Sequence, residues 1–128
     1  KELFDAKTGS CIRACVSPDV FDTVKQVRKA GGIAVMAHPF TYNSIEVLYE
    51  LIDQQLLDGI EVWQSKTTCE QERFLEELAD GYDLIKTGGS DFHGSYASKI
   101  SPVGKGRTPQ ESLERLFALK DQRNRLGS

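Results

Sequence analysis

Apolar positions along the chain alternate between two rhythms. Val20, Val24 and Val27 recur at helical spacing with Phe21 beside them. Ser17-Pro18-Asp19 ahead of them predicts a helix start, with serine as N-cap, proline at the first helical position and an acid in the first turn. Gly31-Gly32 closes that element. Ile33 to Ala37 is then apolar at every position and too short for a helix, the pattern of a strand buried on both faces in a parallel sheet. The rhythm repeats. Ile45, Leu48, Ile52 and Leu56 make a second helical stripe, Asp58-Gly59 a turn, and Ile60 to Trp63 a second strand carrying Glu61. Thr68 with Gln71 predicts a capping box for a third helix through Phe74, Leu75 and Leu78. Asp83 to Thr87 reads as a third strand running into Gly88-Gly89. After a polar loop, Thr108-Pro109-Gln110-Glu111 predicts another capping box. Leu113, Leu116 and Phe117 would give that last helix its apolar face, with a charged tail from Lys120 to Ser128 that frays. The first sixteen residues are less regular; Lys1 to Lys7 fits the end of a helix stopped by Gly9.

Helix and strand thus alternate three times with short connections. That predicts an α/β chain with parallel strands and right-handed crossovers. No low-complexity segment divides it, so residues 1–128 are expected to lie within one domain.

Composition narrows the class. With 39% hydrophobic and 27% charged residues the chain reads as globular, and no apolar run approaches the roughly 18 residues of a membrane span. No signal-peptide pattern opens it, and cytoplasmic residence with no membrane partner is expected. A net charge of −3 argues against a broad nucleic-acid surface but leaves room for a small anionic substrate. Three cysteines (Cys11, Cys15, Cys69) form no disulfide framework, and Cys11 with Cys15 reads as a buried structural pair rather than a zinc site.

Polar chemistry collects where the strands end. The first strand runs into His38-Pro39, the second carries Glu61, and the third leads to Ser90, Asp91 and His93. In parallel α/β folds function gathers at the carboxyl ends of strands. Taken singly, His38 fits a satisfied histidine before a turn, Glu61 an edge-strand residue facing solvent, and Asp91 a turn cap. Their convergence on one rim favours a site. Residues two apart on an extended segment point the same way, so Asp91 and His93 can hold one ion or two adjacent ones. Carboxylate with imidazole suits zinc, manganese or iron. Gly88, Gly89 and Gly94 would supply positive φ and close backbone approach.

The segments "GGIAVMAHPF" (31–40), "DGIEVW" (58–63) and "TGGSDFHG" (87–94), in that order, resemble the later motifs of the PHP (polymerase and histidinol phosphatase) family. The tail "GKGRTPQESLERL" (104–116) is similar to the closing segment of its small cytoplasmic phosphoesterases, and the resemblance spans residues 15 to 117. It implies parallel β/α units of a distorted (β/α)7 barrel with two or three divalent ions (Mn, Zn, Fe or Mg). His38, Asp91 and His93 match metal-ligand and catalytic positions, and Glu61 matches an acidic position that orients a ligand or substrate. Lys105 and Arg107, in "GKGR", would hold a substrate phosphate, against the plainer reading of a basic surface loop. The family's opening His-x-His motif is absent from these residues, so the resemblance is to the carboxyl-terminal half of the domain. The implied activity is hydrolysis of a phosphate ester, such as a nucleotide or similar small phosphorylated metabolite, by a longer protein, with the isolated chain inactive. A non-catalytic metal-binding or scaffold module and an exonuclease-type segment acting on nucleic-acid ends are the alternatives. An incomplete barrel would leave an open edge through which copies of the chain pair.

Overall fold

The computed structural model describes residues 17–94 and 101–126. The helix end expected at Lys1 to Lys7, its stop at Gly9, and the pairing of Cys11 with Cys15 lie outside the described residues. The elements follow the order α1 (Val20–Lys29), β1 (Val35–Met36), α2 (Ile45–Asp53), β2 (Gly59–Gln64), α3 (Cys69–Gly81), β3 (Ile85–Gly89) and α4 (Gln110–Leu126). The strands form one parallel sheet in the order β1-β2-β3. Mixed α/β architecture with parallel strands is therefore present. No described helix is long and apolar enough to cross a membrane.

Helix ends follow local chemistry with one shift. The N-cap of α1 is Asp19 rather than Ser17: its carboxylate accepts from the N–H groups of Phe21 and Asp22 at 2.8 and 3.1 Å. A carboxylate answers both the orphan N–H groups and the positive helix terminus, which a serine hydroxyl does not. At the other end Gly31 takes φ +77° and the Gly32 N–H reaches back to the Val27 carbonyl at 2.9 Å, closing the helix as its glycines predict. The capping box of α3 is complete, with Gln71 N–H on Thr68 Oγ1 at 3.3 Å and Thr68 N–H on Gln71 Oε1 at 3.0 Å.

The core lies between the sheet and its helices. Leu48 of α2, Ile60 and Val62 of β2 and Leu75 of α3 are fully buried, joined by Leu51, Ile52 and Ala79. Each of the leucine, isoleucine and valine side chains stabilises by roughly 1.5–3 kcal/mol relative to exposure. Strand β1 is shorter than the five apolar residues suggest: only Val35 and Met36 pair, and both are half-buried. The expected burial on both faces is not found either: of the five residues only Ala34 is buried, and Ala37 is exposed.

Helix α4 departs most from its pattern. Leu113 and Phe117, expected to face the core, are exposed, Phe117 at 57%, while Ser112 is buried. The predicted cap residue is spent elsewhere. Thr108 Oγ1 accepts from the Gly88 N–H and donates to the Gly88 carbonyl, both at 3.1 Å, stitching the helix start to the end of β3. Within the described part of the charged tail the helix continues to Leu126, and Arg123 grips Asp58 through Nη2–Oδ1 at 2.6 Å and Nη1–Oδ2 at 2.9 Å.

Asp58 itself, read from sequence as a turn residue, is a buried hub with 7% of its side chain exposed. Arg28 of α1 donates to Oδ1 at 2.8 Å and the Ala34 N–H to Oδ2 at 2.7 Å. Arg123 Nη1 also donates to the Gly32 carbonyl. The carboxylate thus joins α1, the entry to β1, the start of β2 and the end of α4.

Candidate functional site

Parallel strands place all three carboxyl ends on one rim; Gln64 closes β2, and His38, Ser65 with Lys66, and Ser90 to His93 follow the strand ends. The rim anticipated from sequence is present. Its local construction differs from the expected one.

His38 is fixed by its neighbours. Pro39 is fully buried and anchors the turn, the Thr41 N–H donates to the His38 carbonyl at 2.9 Å, and Tyr42 packs its ring edge against the imidazole at a centroid distance of 5.7 Å. His38 has φ +31°, a region that costs a non-glycine residue strain. The strained backbone is held by Glu61, whose Oε2 accepts the His38 N–H at 2.8 Å. Among the described residues, His38 Nδ1 is buried with no hydrogen-bond partner. A buried, unpartnered ring nitrogen is costly, and a bound cation would offset that cost.

Glu61 does not sit on an edge strand. It belongs to β2, the central strand, and is partly buried. Gly89 of β3 makes room for it: a Cβ there would meet Glu61 Oε1 at 2.9 Å. Between Glu61 and Trp63 the register with β3 slips, so that β2 advances two residues against one. A bulge of this kind re-aims the residues that follow it, here the rim segment from Gln64 onward.

Asp91 and His93 do come together, though not along an extended segment. Asp91 has φ +52°, and His93 folds back so that its Nδ1 donates to the Asp91 carbonyl at 2.8 Å. Because a carbonyl only accepts, in the neutral ring this bond places the proton on Nδ1 and leaves the lone pair on Nε2. The positive φ expected of all three glycines in this stretch is found at Gly94 alone; Gly88 and Gly89 lie in β3 and serve close approach instead.

Two rim residues escaped the sequence reading. Gln64 is buried and donates through Nε2 to Asp91 Oδ2 at 3.3 Å. Lys66 places Nζ 2.8 Å from the same oxygen. The hydrogen bond and charge of Lys66, aided by the nearby His93 and His38, outweigh partial desolvation and hold the Asp91 carboxyl below the usual carboxylate range. A buried glutamine just past a strand end was a usable signal for this cluster; a surface lysine was not.

Lys105 and Arg107 lie beyond Ser65. Ser65 Oγ bonds the Ser90 carbonyl at 3.0 Å and Ser101 Oγ at 2.5 Å, and Lys105 Nζ donates to the Ser65 carbonyl at 3.0 Å. Both basic residues border a cavity of about 440 Å³ with Trp63 and Pro109. His38, Lys66, Thr41 and Thr67 border a different one, of about 280 Å³.

A divalent cation fits the donors chemically: one carboxylate held in its charged form, a buried orphan imidazole nitrogen and a second imidazole with a lone pair available. Among the described residues, however, no three His, Cys, Asp or Glu side chains gather into a group able to hold a metal ion. Lys66 and Gln64 engage the Asp91 oxygen, and the His93 ring turns towards the backbone.

No family model matches the chain. Over 96 residues, 75% of its length, it is 39% identical to a phosphoribosyl 1,2-cyclic phosphate 1,2-diphosphodiesterase of Eggerthella lenta, covering 36% of that protein. Over 79 residues, 59% of its length, it is 34% identical to a 5'-3' exoribonuclease of Haemophilus influenzae, covering 29% of that protein. Among solved structures it is similar to a Bifidobacterium adolescentis protein assigned as a metal-dependent phosphoesterase, with a TM-score of 0.71 and 31% identity over 90% of this chain and 41% of that one. The chain spans about a third of the length of the curated relatives it matches. These likenesses support the resemblance: the chain is similar to PHP-type metal-dependent phosphoesterases.

Proposed function

We propose that this PHP-like phosphoesterase chain serves, in the protein that carries it, the divalent-metal-dependent hydrolysis of a phosphate ester of a small metabolite. The observation that carries the reading is the buried, unpartnered His38 Nδ1 on the same rim as a charged Asp91. The names of two relatives support it, a cyclic phosphate diphosphodiesterase and a metal-dependent phosphoesterase.

In this reading Asp91, His38 through Nδ1 and His93 through Nε2 hold the cation. Glu61 orients His38 by its hydrogen bond to the backbone. Lys105 and Arg107 remain proposed substrate contacts of the neighbouring cavity. A bound divalent ion supplies an acidified water and neutralises phosphoryl charge. The chain covers only part of its relatives, and the three donors are not closed around one point. Residues 1–128 are accordingly proposed as the carboxyl-terminal segment of a single PHP-like domain, with the remaining ligands contributed by the rest of an incomplete barrel.

The test is hydrolysis of a phosphoribosyl cyclic phosphate and of simple phosphate monoesters with Mn²⁺ or Zn²⁺ by the whole protein. Asp91→Ala and His38→Ala should each remove activity by more than about a hundredfold. Full activity in Asp91→Ala would refute the assignment. A second reading, action on nucleic-acid ends, is favoured by the exoribonuclease relative alone; 5'-phosphorylated oligonucleotide assayed beside the small substrates separates the two.

A further inference from the structure

Lys66 is a cation on the rim to which the reading above gives no task. Its Nζ lies 2.8 Å from Asp91 Oδ2, yet its side chain is 52% exposed. The backbone beneath it is tied independently. The Lys66 N–H donates to Gln64 Oε1 at 2.8 Å, and Gln64 Nε2 reaches Asp91 Oδ2 at 3.3 Å. The turn therefore keeps its place if the amine leaves. Lys66 also borders the 280 Å³ cavity that His38 borders, with Thr41, Thr67 and Gln71 adding polar groups. That space is sufficient for a phosphate with a small organic group attached. Lys105 and Arg107 border the other cavity, and the Lys105 amine is engaged by the Ser65 carbonyl.

An exposed ammonium–carboxylate pair is weak, so exchanging its partner meets little resistance. A divalent ion on Asp91 would bring positive charge against the Lys66 ammonium. The flexible four-carbon stem lets the amine withdraw, and a phosphate oxygen is the acceptor that restores its pairing. We propose that Lys66 is an exchangeable anion-binding residue. Its ammonium rests on Asp91 Oδ2 without a cation and moves to a substrate phosphate oxygen, in the cavity beside His38, once a cation takes Asp91. The second half of this cycle rests on the assignment of Asp91 as a metal ligand; the first half does not.

Calorimetric titration of the full chain with inorganic phosphate, first without metal, tests the first half. Asp91→Asn releases the amine and should tighten phosphate binding about fivefold, and adding Lys66→Gln should cancel the gain. Asparagine tolerates the positive φ at this position, so the variant retains its turn. With Mn²⁺ present, Lys66→Gln should weaken phosphate about tenfold, leave Mn²⁺ affinity equal or tighter, and differ from Lys25→Gln, an exposed control on α1, which binds phosphate as the wild type does. Phosphate affinity unmoved by Asp91→Asn or by Lys66→Gln overturns the proposal, as does a wild-type chain without phosphate affinity. Mn²⁺ binding that survives Asp91→Asn would sink the metal assignment instead, while the metal-free arm still decides the role of Lys66.

Discussion

The His38 N–H points at Glu61 Oε2, 2.8 Å away, and this one bond ties the turn after β1 to the central strand. It secures a backbone at φ +31° that would otherwise relax, and with it the position of the buried Nδ1. Groups that orient a metal ligand are commonly worth ten- to a hundredfold in affinity. Glu61→Ala is expected to weaken Mn²⁺ binding about tenfold, and Glu61→Gln, which keeps an acceptor, only about threefold. Gly89→Ala, which crowds Glu61 Oε1, should resemble the alanine variant. Calorimetry of the three proteins ranks them; equal affinities in all would show that Glu61 does not position His38.

Asp58 makes a separate prediction about stability. Removing the carboxylate leaves Arg28 and Arg123 without their shared partner and the Ala34 N–H without its acceptor. Asp58→Ala should cost about 2–4 kcal/mol, less than a fully buried pair because Arg28 is partly solvated. Arg123→Ala should cost about 1–3 kcal/mol, since one arm of the network survives. Urea unfolding measures both, and an unchanged midpoint in Arg123→Ala would mean that the end of α4 contributes nothing to the fold.

Thr108→Val conserves shape but removes both bonds to Gly88. The Gly88 N–H loses its partner, at a cost of about 1–3 kcal/mol. Amide exchange should quicken at Gly88 and in the first turn of α4 while α3 is unaffected. Uniform quickening across the chain would instead indicate global destabilisation.

Acid titration bears on Asp91. Its folded pKa lies below the ordinary carboxylate value, with Lys66 as the first cause. For a depressed carboxylate the associated stability is present above the unfolded pKa and fades as pH falls through the folded one. Lys66→Met should raise the Asp91 pKa towards the ordinary value, read from its carboxyl carbon resonance. A resonance that titrates identically in both proteins would remove Lys66 as the cause.

Much of this was legible in the sequence, for identifiable reasons. The alternation of helical stripes with Ile60 to Trp63 and Asp83 to Thr87 located β2 and β3 within two residues, because these short segments fall between helical stripes and glycine-marked turns. The rim followed, since parallel strands must end on one side. Contacts between distant segments were not legible. Asp58 looked like a turn residue because Arg28, Arg123 and Ala34 converge on it only in space. Thr108 carried a capping signature, yet its hydroxyl bonds Gly88 instead. Lys66 and Gln64 meet Asp91 across two strand ends, a pairing that no periodicity encodes.

Asp58 precedes β2, so its clamp sits at the opposite end of the sheet from His38, Asp91 and Lys66. Rigidity and chemistry thereby occupy different poles of the same strands. Substitutions that refit the rim to a new phosphate ester leave the clamp untouched, and the fold keeps its margin while they accumulate. Relatives that diverge in substrate are therefore expected to vary at the carboxyl-end turns and to keep an acidic residue at the entrance of the central strand.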